Sequence, residues 1–239
     1  MFDWNKHWEK TRENEEARIF ALKMAGMLCN FMRDKNIRLV ADYGCGPATL
    51  LFTLARRFPQ TEFYGFDIAK SIISKNTKKA LHSNLQNLHF EQGSLPFPCA
   101  KRAYDLIVCF ATLHYVEKIE CAIKNLFKLI NPEGYLIFNY PNIFTRLAYQ
   151  KTIKPQDEQM KNRFALVLAG KNLLTLKKIK NILGVKPKRF YSSNRANVYV
   201  VVHKSMFLHL PKFQRMLLHK TQICVVLTDI LQHLGDEQG

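Results

Sequence analysis

Short apolar runs alternate with amphipathic stretches along most of the chain. The runs predict strands, and stretches with apolar positions three or four residues apart predict helices. The predicted strands are 39–41, 61–66, 88–92, 105–110, 135–140, 188–192 and 196–203. The predicted helices are 15–36, one that starts at 47, 69–83, 118–130 and 173–183. Strands that alternate with helices predict an α/β fold whose parallel sheet is covered on both faces, and the last two strands predict an antiparallel hairpin.

Residues 38–67 carry the strongest local signal. Gly44 and Gly46 form a G-x-G turn after the first strand, and glycines there let a ligand approach the main chain closely. Asp42 directly precedes the turn, and Asp67 ends the second strand. This order of strand, turn, helix and strand is typical of a unit that binds nucleotides at the carboxyl ends of parallel strands.

Two classes of nucleotide compete for this turn. A dinucleotide needs amide donors for its pyrophosphate, but Pro47 lacks an N–H and Thr49 replaces the third glycine of G-x-G-x-x-G. Asp42 would repel a diphosphate and would attract an ammonium group. Asp67 can accept hydrogen bonds from both hydroxyls of a ribose. A ribose and an amino-acid ammonium without phosphate describe S-adenosylmethionine.

Four motifs in order carry a resemblance to a known family. They are D-Y-G-C-G-P-A-T with F-Y-G-F-D-I at 42–49 and 63–68, G-S-L-P-F-P at 93–98, Y-D-L-I-V-C-F-A-T-L-H-Y at 104–115, and N-P-E-G-Y-L-I-F at 131–138. From about residue 38 to 204 the chain resembles the class I S-adenosylmethionine-dependent methyltransferases of small molecules. The resemblance implies a Rossmann-like, doubly wound sheet of seven mostly parallel strands with an antiparallel final strand. Helices are expected to cover both faces, and this chain is expected to add N-terminal and C-terminal helices.

The resemblance also implies the cofactor, S-adenosylmethionine, and its product, S-adenosylhomocysteine. The residues expected to bind it are Trp8, Asp42, Gly44, Cys45, Gly46, Asp67, Ile68, Ser94, Leu95, Cys109 and Phe110. Ile68 is expected to pack on the adenine ring, and Ser94 stands where the family often has an acidic residue. Trp8 shares a helical face with Trp4 and His7, which predicts an aromatic cap that favours a sulfonium cation. The alternative is a helix packed on the side of the domain.

Two residues that follow the fourth strand are the catalytic candidates. His114 is the best candidate for a general base, because histidine titrates near neutral pH, and Tyr115 adjoins it at the mouth of the site. The alternative is that the L-H-Y-V segment is a structural turn. The insertion at 143–172 resembles the segment that builds acceptor pockets in the family. The residues expected to contact the substrate are Tyr140, Asn142, Arg146 and Tyr149.

The charge is strongly positive and uneven. The net charge is +17, and the segment 146–189 holds twelve basic residues against two acidic ones. Such a field attracts anionic partners, and the alternative is that the lysines are only solvated. Three functions compete: a methyltransferase that acts on an O, N or C atom of a small molecule, with an anionic acceptor as one option, an RNA or protein methyltransferase that uses the basic segment, and a non-enzymatic subunit that binds the cofactor. The first is favoured.

The chain is expected to form one methyltransferase domain over 1–239. Its parts are a cap and helix at 1–36, the core at 37–204 and a helical extension at 205–239. The extension could pack back on the domain, form a dimer contact, or dock on an anionic membrane surface through 205–234. The chain is expected to be a monomer or homodimer. No metal-ligand spacing is visible. The polar N-terminal segment and six cysteines without C-x-x-C spacing predict a cytoplasmic protein with reduced thiols.

Overall fold

A seven-stranded sheet forms the centre of the computed structural model, which describes residues 2–11, 13–98 and 102–205. The strands are β1 Leu39–Tyr43, β2 Glu62–Asp67, β3 Leu88–Gln92, β4 Tyr104–Cys109, β5 Ile130–Asn139, β6 Lys188–Ser192 and β7 Val198–His203. Their order is β3-β2-β1-β4-β5-β7-β6. The first five are parallel, and β7 is antiparallel to both of its neighbours. The predicted Rossmann-like fold is therefore confirmed.

Helices cover both faces of this sheet. They are α1 Trp4–Lys10, α2 Glu15–Arg33, α3 Thr49–Arg57, α4 Lys70–His82, α5 Ile119–Lys128, α6 Ile143–Thr152, α7 Glu158–Arg163, α8 Ala165–Leu168 and α9 Leu176–Leu183. Successive strand residues point to opposite faces, so Val40 packs with α2, α3 and α4, whereas Ala41 packs with α5 and α9. The β1 residues from Val40 to Tyr43 are buried, because both faces of a parallel sheet are covered.

Capping side chains determine where several helices begin and end. The Asn14 side chain accepts from the amide of Ala17 and starts α2, whose residues Met24 and Leu28 are fully buried. Thr175 caps α9 in the same way, and Gly184 ends it with a φ of 72°. The predicted stop at Gly184 therefore matches the structure.

The insertion between β5 and α9 folds into three short helices rather than a loop. Asn142 and Thr145 form a reciprocal capping box that starts α6. Asp157 caps α7 by accepting from the amide of Met160. These caps fix the directions in which the insertion runs across the carboxyl edge of the sheet.

The N-P-E-G segment at 131–134 is an irregular part of β5, which begins at Ile130. The pairing with β4 passes from Tyr104–Ile130 to Leu106–Tyr135, so residues 131–134 bulge out of β5. The expectation for the cysteines was wrong in one place. Cys29, Cys45 and Cys109 are free thiols, but Cys121 is disulfide-bonded rather than reduced. Disulfide pairing depends on Cα separations in the fold, which the spacing of cysteines in the sequence does not reveal.

The predicted C-terminal extension lies outside the described residues from 206 onward, so its three alternatives stay predictions. Within the described part of the chain, none of the helices has both the length and the apolar composition that crossing a membrane requires.

Candidate functional site

A cavity of about 310 Å³ opens at the carboxyl ends of β1, β2 and β4. The strand order changes direction here, because β2 lies on one side of β1 and β4 lies on the other. Ligands of open α/β sheets bind at such a switch point. Of the predicted cofactor residues, all except Cys109 line this cavity.

The glycine turn forms the floor of the cavity in a conformation that favours glycine. Gly44 and Gly46 have φ values of +84° and +49°. A Cβ atom on Gly44 would lie 2.0 Å from Oγ1 of Thr112, so the turn packs directly on the segment that follows β4. A Cβ atom on Gly46 would lie 3.4 Å from a ring carbon of Trp8. The turn is therefore held between the α1 helix and the segment after β4.

The amides of this turn are engaged within the protein. Gly44 N and Cys45 N donate to the carbonyl oxygen of Phe66, at 2.7 and 3.0 Å. Gly46 N donates to Oδ2 of Asp67 at 3.0 Å, and the next residue is a proline without an N–H. A pyrophosphate needs free amide donors at this place. The turn leaves it none from these four residues.

The carboxylate of Asp67 is held rigidly at the end of β2. Its Oδ1 accepts from the amide of Ala69 at 3.0 Å, and its Oδ2 accepts from Gly46. A carboxylate offers about four acceptor sites, so the backbone amides do not fill it and capacity remains for a hydroxyl donor. Burial raises the pKa of Asp67, while the amide bonds from Ala69 and Gly46 lower it.

A second carboxyl group, Asp42, lies deeper in the same wall. Burial, and then the nearby charge of Asp67, raise the pKa of Asp42 to about 8. Near neutral pH this group is therefore mostly uncharged while no cation lies beside it. A ligand that carries a positive charge would restore its ionised form.

The α1 helix covers the cavity and is attached to α4. Trp4 and Trp8 line the cavity. The ammonium of Lys75 donates to the carbonyl oxygens of Trp8 and Glu9, and the Ser71 hydroxyl donates to the carbonyl oxygen of Asn5. The helix thus packs against α4 and also presents two indole rings to the cavity. Its role as an aromatic cap over the cofactor stays a prediction.

The segments after β2, β3 and β4 form the remaining walls. Ile68 is 46% exposed although it is apolar, so it offers free surface to a flat ring. Ser94 and Leu95 lie beside it on the wall. After β4, Phe110 lines the cavity, and Oδ1 of Asn139 accepts from the amide of Ala111 at 2.7 Å. That bond holds Ala111 at a φ of 53°, a strained value for a residue with a Cβ atom.

Cys109 does not reach the cavity. It is the last residue of β4, its side chain is fully buried in the core, and burial raises the pKa of its thiol. The alternation of strand side chains explains its place: Cys109 points into the core beneath α5, whereas the next residue, Phe110, faces the site.

The two catalytic candidates have different surroundings. Tyr115 lines the cavity, whereas His114 is buried beside it and is not among the lining residues. Burial lowers the pKa of His114 to about 4, so its ring is neutral near pH 7. Its Nδ1 has no hydrogen-bond partner among the described residues. The side-chain amide of Asn172 donates to the carbonyl oxygens of Leu113, His114 and Val116 and so holds this 3-10 turn.

The four predicted substrate contacts lie away from the cavity wall. Tyr140 is buried in the core, and Asn142 caps α6. Arg146 donates from Nε to the carbonyl oxygen of Leu168 at 2.9 Å. The ring of Tyr149 packs on Phe164 at 4.3 Å between centroids. The insertion folds as helices, and Arg146 and Tyr149 contact other residues of the insertion rather than the cavity.

The structure adds cavity residues that the sequence did not single out. Arg163, at the end of α7, lines the cavity and donates from Nε to the hydroxyl of Tyr115 at 3.2 Å. Glu13 lines it too and accepts from the hydroxyl of Thr49 at 2.5 Å. Arg163 lies in the insertion expected to build the acceptor pocket, but no spacing distinguishes it from eleven other basic residues nearby. Among the described residues, no group of three or more His, Cys, Asp or Glu side chains is arranged to hold a metal.

Comparisons with known proteins agree with this geometry. A family model described as a methyltransferase domain matches residues 34–195. Trans-aconitate 2-methyltransferase of Pseudomonas paraeruginosa is 26% identical over 136 residues, 57% of this chain and 47% of that protein. Malonyl-[acyl-carrier protein] O-methyltransferase of Priestia megaterium is 26% identical over 144 residues, 56% of this chain and 52% of that protein. The chain thus spans about half the length of these curated relatives.

A solved structure shows the same fold. The plantazolicin methyltransferase BpumL in complex with SAH has a TM-score of 0.62 and 13% identity, and the match covers 84% of this chain and 93% of that one. The family model covers about two thirds of the chain, including the glycine turn, both carboxylates and the segment after β4. The chain belongs to the methyltransferase-domain family.

Proposed function

We propose that the chain is an S-adenosylmethionine-dependent methyltransferase that transfers a methyl group to an O, N or C atom of a small molecule. One observation carries the proposal: the amides of the glycine turn are engaged within the protein, while two buried carboxyl groups line the same cavity. An acid at the position of Asp67 suits the ribose of either ligand, but a dinucleotide needs free amides for its phosphates and no acid at the position of Asp42, directly before the turn. A nucleoside with a ribose diol and an ammonium group fits what is present.

Each part of the cofactor has a matching group on the wall. Asp67 would accept from the ribose hydroxyls, and Asp42 would meet the ammonium. Ile68 would cover the adenine ring, with Ser94 and Leu95 beside it. The main chain of Gly44, Cys45, Gly46 and Phe110 would border the amino-acid part, and the indole of Trp8 would face the sulfonium. BpumL, which shares the fold, was solved with the product SAH, and this supports the same cofactor here.

The chemistry asks mainly for positioning. When bound, the cofactor supplies a methyl group that its sulfonium has already activated. The chain contributes orientation and the exclusion of water, which the cover of Trp4 and Trp8 provides. Burial raises the pKa of Tyr115, so at neutral pH it acts as a hydroxyl that orients rather than as a phenolate base. His114 lies behind this wall, and we assign it a structural role.

A small acceptor suits the cavity better than a macromolecule. The relatives are named for trans-aconitate and for the malonyl group on a carrier protein, which supports an acceptor of this size. Two charges of the basic segment have acidic partners within the protein: Lys161 pairs with Glu158 and Lys178 pairs with Glu120. These charges are less available to phosphates, so no specific observation favours an RNA or protein acceptor.

The test uses labelled methyl transfer. The protein is incubated with S-adenosylmethionine labelled on its methyl group and with the small-molecule, RNA or protein fraction of a cell extract. We expect label in the small-molecule fraction, and its loss with Asp67→Ala but not with the control Asp34→Ala on the exposed end of α2. Label in RNA or protein would replace the small acceptor by the alternative function. S-adenosylhomocysteine binding without label in any fraction would indicate a non-enzymatic subunit.

The cellular context belongs to the same proposal. A cytoplasmic location is supported by the free thiols of Cys29, Cys45 and Cys109, whereas the disulfide at Cys121 argues for an oxidising compartment. Cell fractionation decides between the two. A monomer or homodimer, and a peripheral membrane contact through 205–234, stay predictions.

A further inference from the structure

One side chain in the cavity wall has a charge that the proposed cofactor roles do not use. Among the described residues that line the cavity, Arg163 is the only one with a positive charge. Its guanidinium carbon lies 5.3 Å from the ring centre of Trp4 and 5.6 Å from that of Tyr115. A third ring, Phe164, lies at 5.5 Å. The guanidinium therefore has three aromatic rings as neighbours.

This guanidinium has unused hydrogen-bonding capacity. An arginine side chain has five N–H donors, and the one hydrogen bond described for it runs from Nε to the hydroxyl of Tyr115. No described carboxylate lies within ion-pair distance of Arg163, although the side chain is half-buried. A partly desolvated cation with free donors is suited to bind an anion, because charge-assisted hydrogen bonds are strongest where water is excluded.

The charges of the cavity are separated between its walls. Asp42 and Asp67 lie on the wall formed by β1 and β2, at the glycine turn. The third carboxylate of the lining, Glu13, accepts from Thr49 at the start of α3, directly after that turn. Arg163 contacts α1 and the 3-10 turn after β4 instead, and its positive charge lowers the pKa of His7 in addition to the effect of burial. The acidic wall suits the cationic cofactor, and the basic wall remains for a second ligand of opposite charge.

We propose that Arg163 binds an anionic group of the methyl acceptor, a carboxylate or a phosphate, and thereby selects organic acids as substrates. The inference rests on the proposed function, since it concerns the second ligand of the same cavity. Trp4 and Tyr115 position the guanidinium: the indole covers it, and the hydroxyl of Tyr115 accepts from Nε. The remaining terminal N–H groups point to a planar, two-oxygen anion as the best match.

The carboxylate that binds Arg163 could belong to the acceptor or to the cofactor, because the cofactor carries a carboxylate on its amino-acid part. Calorimetric titrations separate them. The first measures the affinity of S-adenosylhomocysteine. The second titrates the protein loaded with S-adenosylhomocysteine with phenylacetate, hexanoate and phenyl phosphate, and with phenylacetamide and hexanamide as neutral matches.

Three variants complete the experiment. Arg163→Met removes the charge and keeps the length of the side chain, and Arg163→Lys keeps the charge without the planar fork. Arg195→Met is the matched control, because Arg195 also lies over an aromatic ring, that of Phe144, but outside the cavity.

We expect acids to bind the loaded protein more tightly than their amides. Arg163→Met should weaken acid binding about 10- to 100-fold, Arg163→Lys should weaken it less, and Arg195→Met should leave it unchanged. The affinities of phenylacetate and phenyl phosphate, compared with each other, show which anion the protein prefers. Equal binding of acids and amides by the loaded protein would overturn the inference. The inference would also be overturned if Arg163→Met lost affinity for S-adenosylhomocysteine and not for acids, because Arg163 would then bind the carboxylate of the cofactor. If the wild-type protein does not bind S-adenosylhomocysteine at all, the proposed function fails first.

Discussion

We predict that the affinity for the cofactor depends on pH, because Asp42 releases a proton when the cofactor binds. The group is buried beside Asp67, and its pKa is raised to about 8 while no cation lies near it. If the ammonium of the cofactor binds there, the carboxyl must first lose its proton. Binding is then coupled to proton release at every pH below about 8, and affinity rises with pH in that range.

The size of the effect follows from the raised pKa. Ionising a group of pKa about 8 costs roughly 1.4 kcal/mol at pH 7 and roughly 2.7 kcal/mol at pH 6. The affinity for S-adenosylhomocysteine should therefore increase about tenfold from pH 6 to pH 7 and level off near pH 8. The sign is opposite for the stability of the free protein. The folded state keeps a proton that the unfolded chain loses above about pH 4, so the contribution of Asp42 to stability falls as pH rises toward 8.

The assay is calorimetric titration across this range, in two buffers of different ionisation enthalpy to count the protons released. The control ligand is 5′-methylthioadenosine, which keeps the adenine, the ribose and the sulfur but lacks the amino-acid part. Its affinity should change little with pH. With Asp42→Asn, the affinity for S-adenosylhomocysteine should be weaker at pH 8 and nearly independent of pH.

A flat pH profile for S-adenosylhomocysteine in the wild-type protein would show that Asp42 does not release a proton on binding. This result would be inconsistent with the coupling. The coupling would also be refuted by an equal rise for 5′-methylthioadenosine, because that ligand has no ammonium to pair with the carboxylate.

Three further predictions concern the frame of the site. Gly44→Ala should lower the free energy of unfolding by about 1–3 kcal/mol and weaken S-adenosylhomocysteine binding, because its Cβ would overlap Thr112. The control Gly26→Ala has open space around it in α2 and should raise the free energy of unfolding by about 0.5–1 kcal/mol in denaturant titrations. Equal effects of the two substitutions would contradict the close packing of Gly44 on Thr112. Asn172→Ala should lower the free energy of unfolding by about 1–3 kcal/mol in the same assay, since it leaves carbonyl groups of the 3-10 turn without a donor. An unchanged unfolding midpoint would show that Asn172 does not stabilise this turn. His114→Gln should retain kcat within a few-fold and leave the pH–rate profile unchanged near pH 7. If the variant instead lost most of its turnover and one pH-dependent limb of the profile disappeared, His114 would be the general base.

The fold and the cofactor side of the cavity could be predicted because their signals are local. Gly44, Gly46 and Asp67 lie within one strand–turn–helix–strand unit, whose order along the chain determines their places in space. The apolar runs indicate buried parallel strands in the same way. The engagement of the turn amides could not be predicted, because it depends on the carbonyl of Phe66 and the side chain of Asp67 in the next strand.

The acceptor side could not be predicted, because it depends on how the insertion folds. Arg146 and Arg163 are both basic residues of that segment, yet one caps a carbonyl of α8 and the other lines the cavity. Only the directions of α6 and α7, set by their caps at Asn142 and Asp157, separate the two. His114 shows a similar effect: its position after β4 is correct for a base, but the 3-10 turn buries it and presents Tyr115 instead.

In the proposed function, the cavity binds a sulfonium nucleoside and not a dinucleotide. Paired calorimetric titrations of the full chain with S-adenosylhomocysteine and with NAD⁺ test it most directly. We predict one-to-one binding of S-adenosylhomocysteine, a severe loss of affinity with Asp67→Ala, and no heat of binding with NAD⁺. Binding of NAD⁺ at an affinity equal to or above that of S-adenosylhomocysteine, or no binding of S-adenosylhomocysteine, would contradict the account.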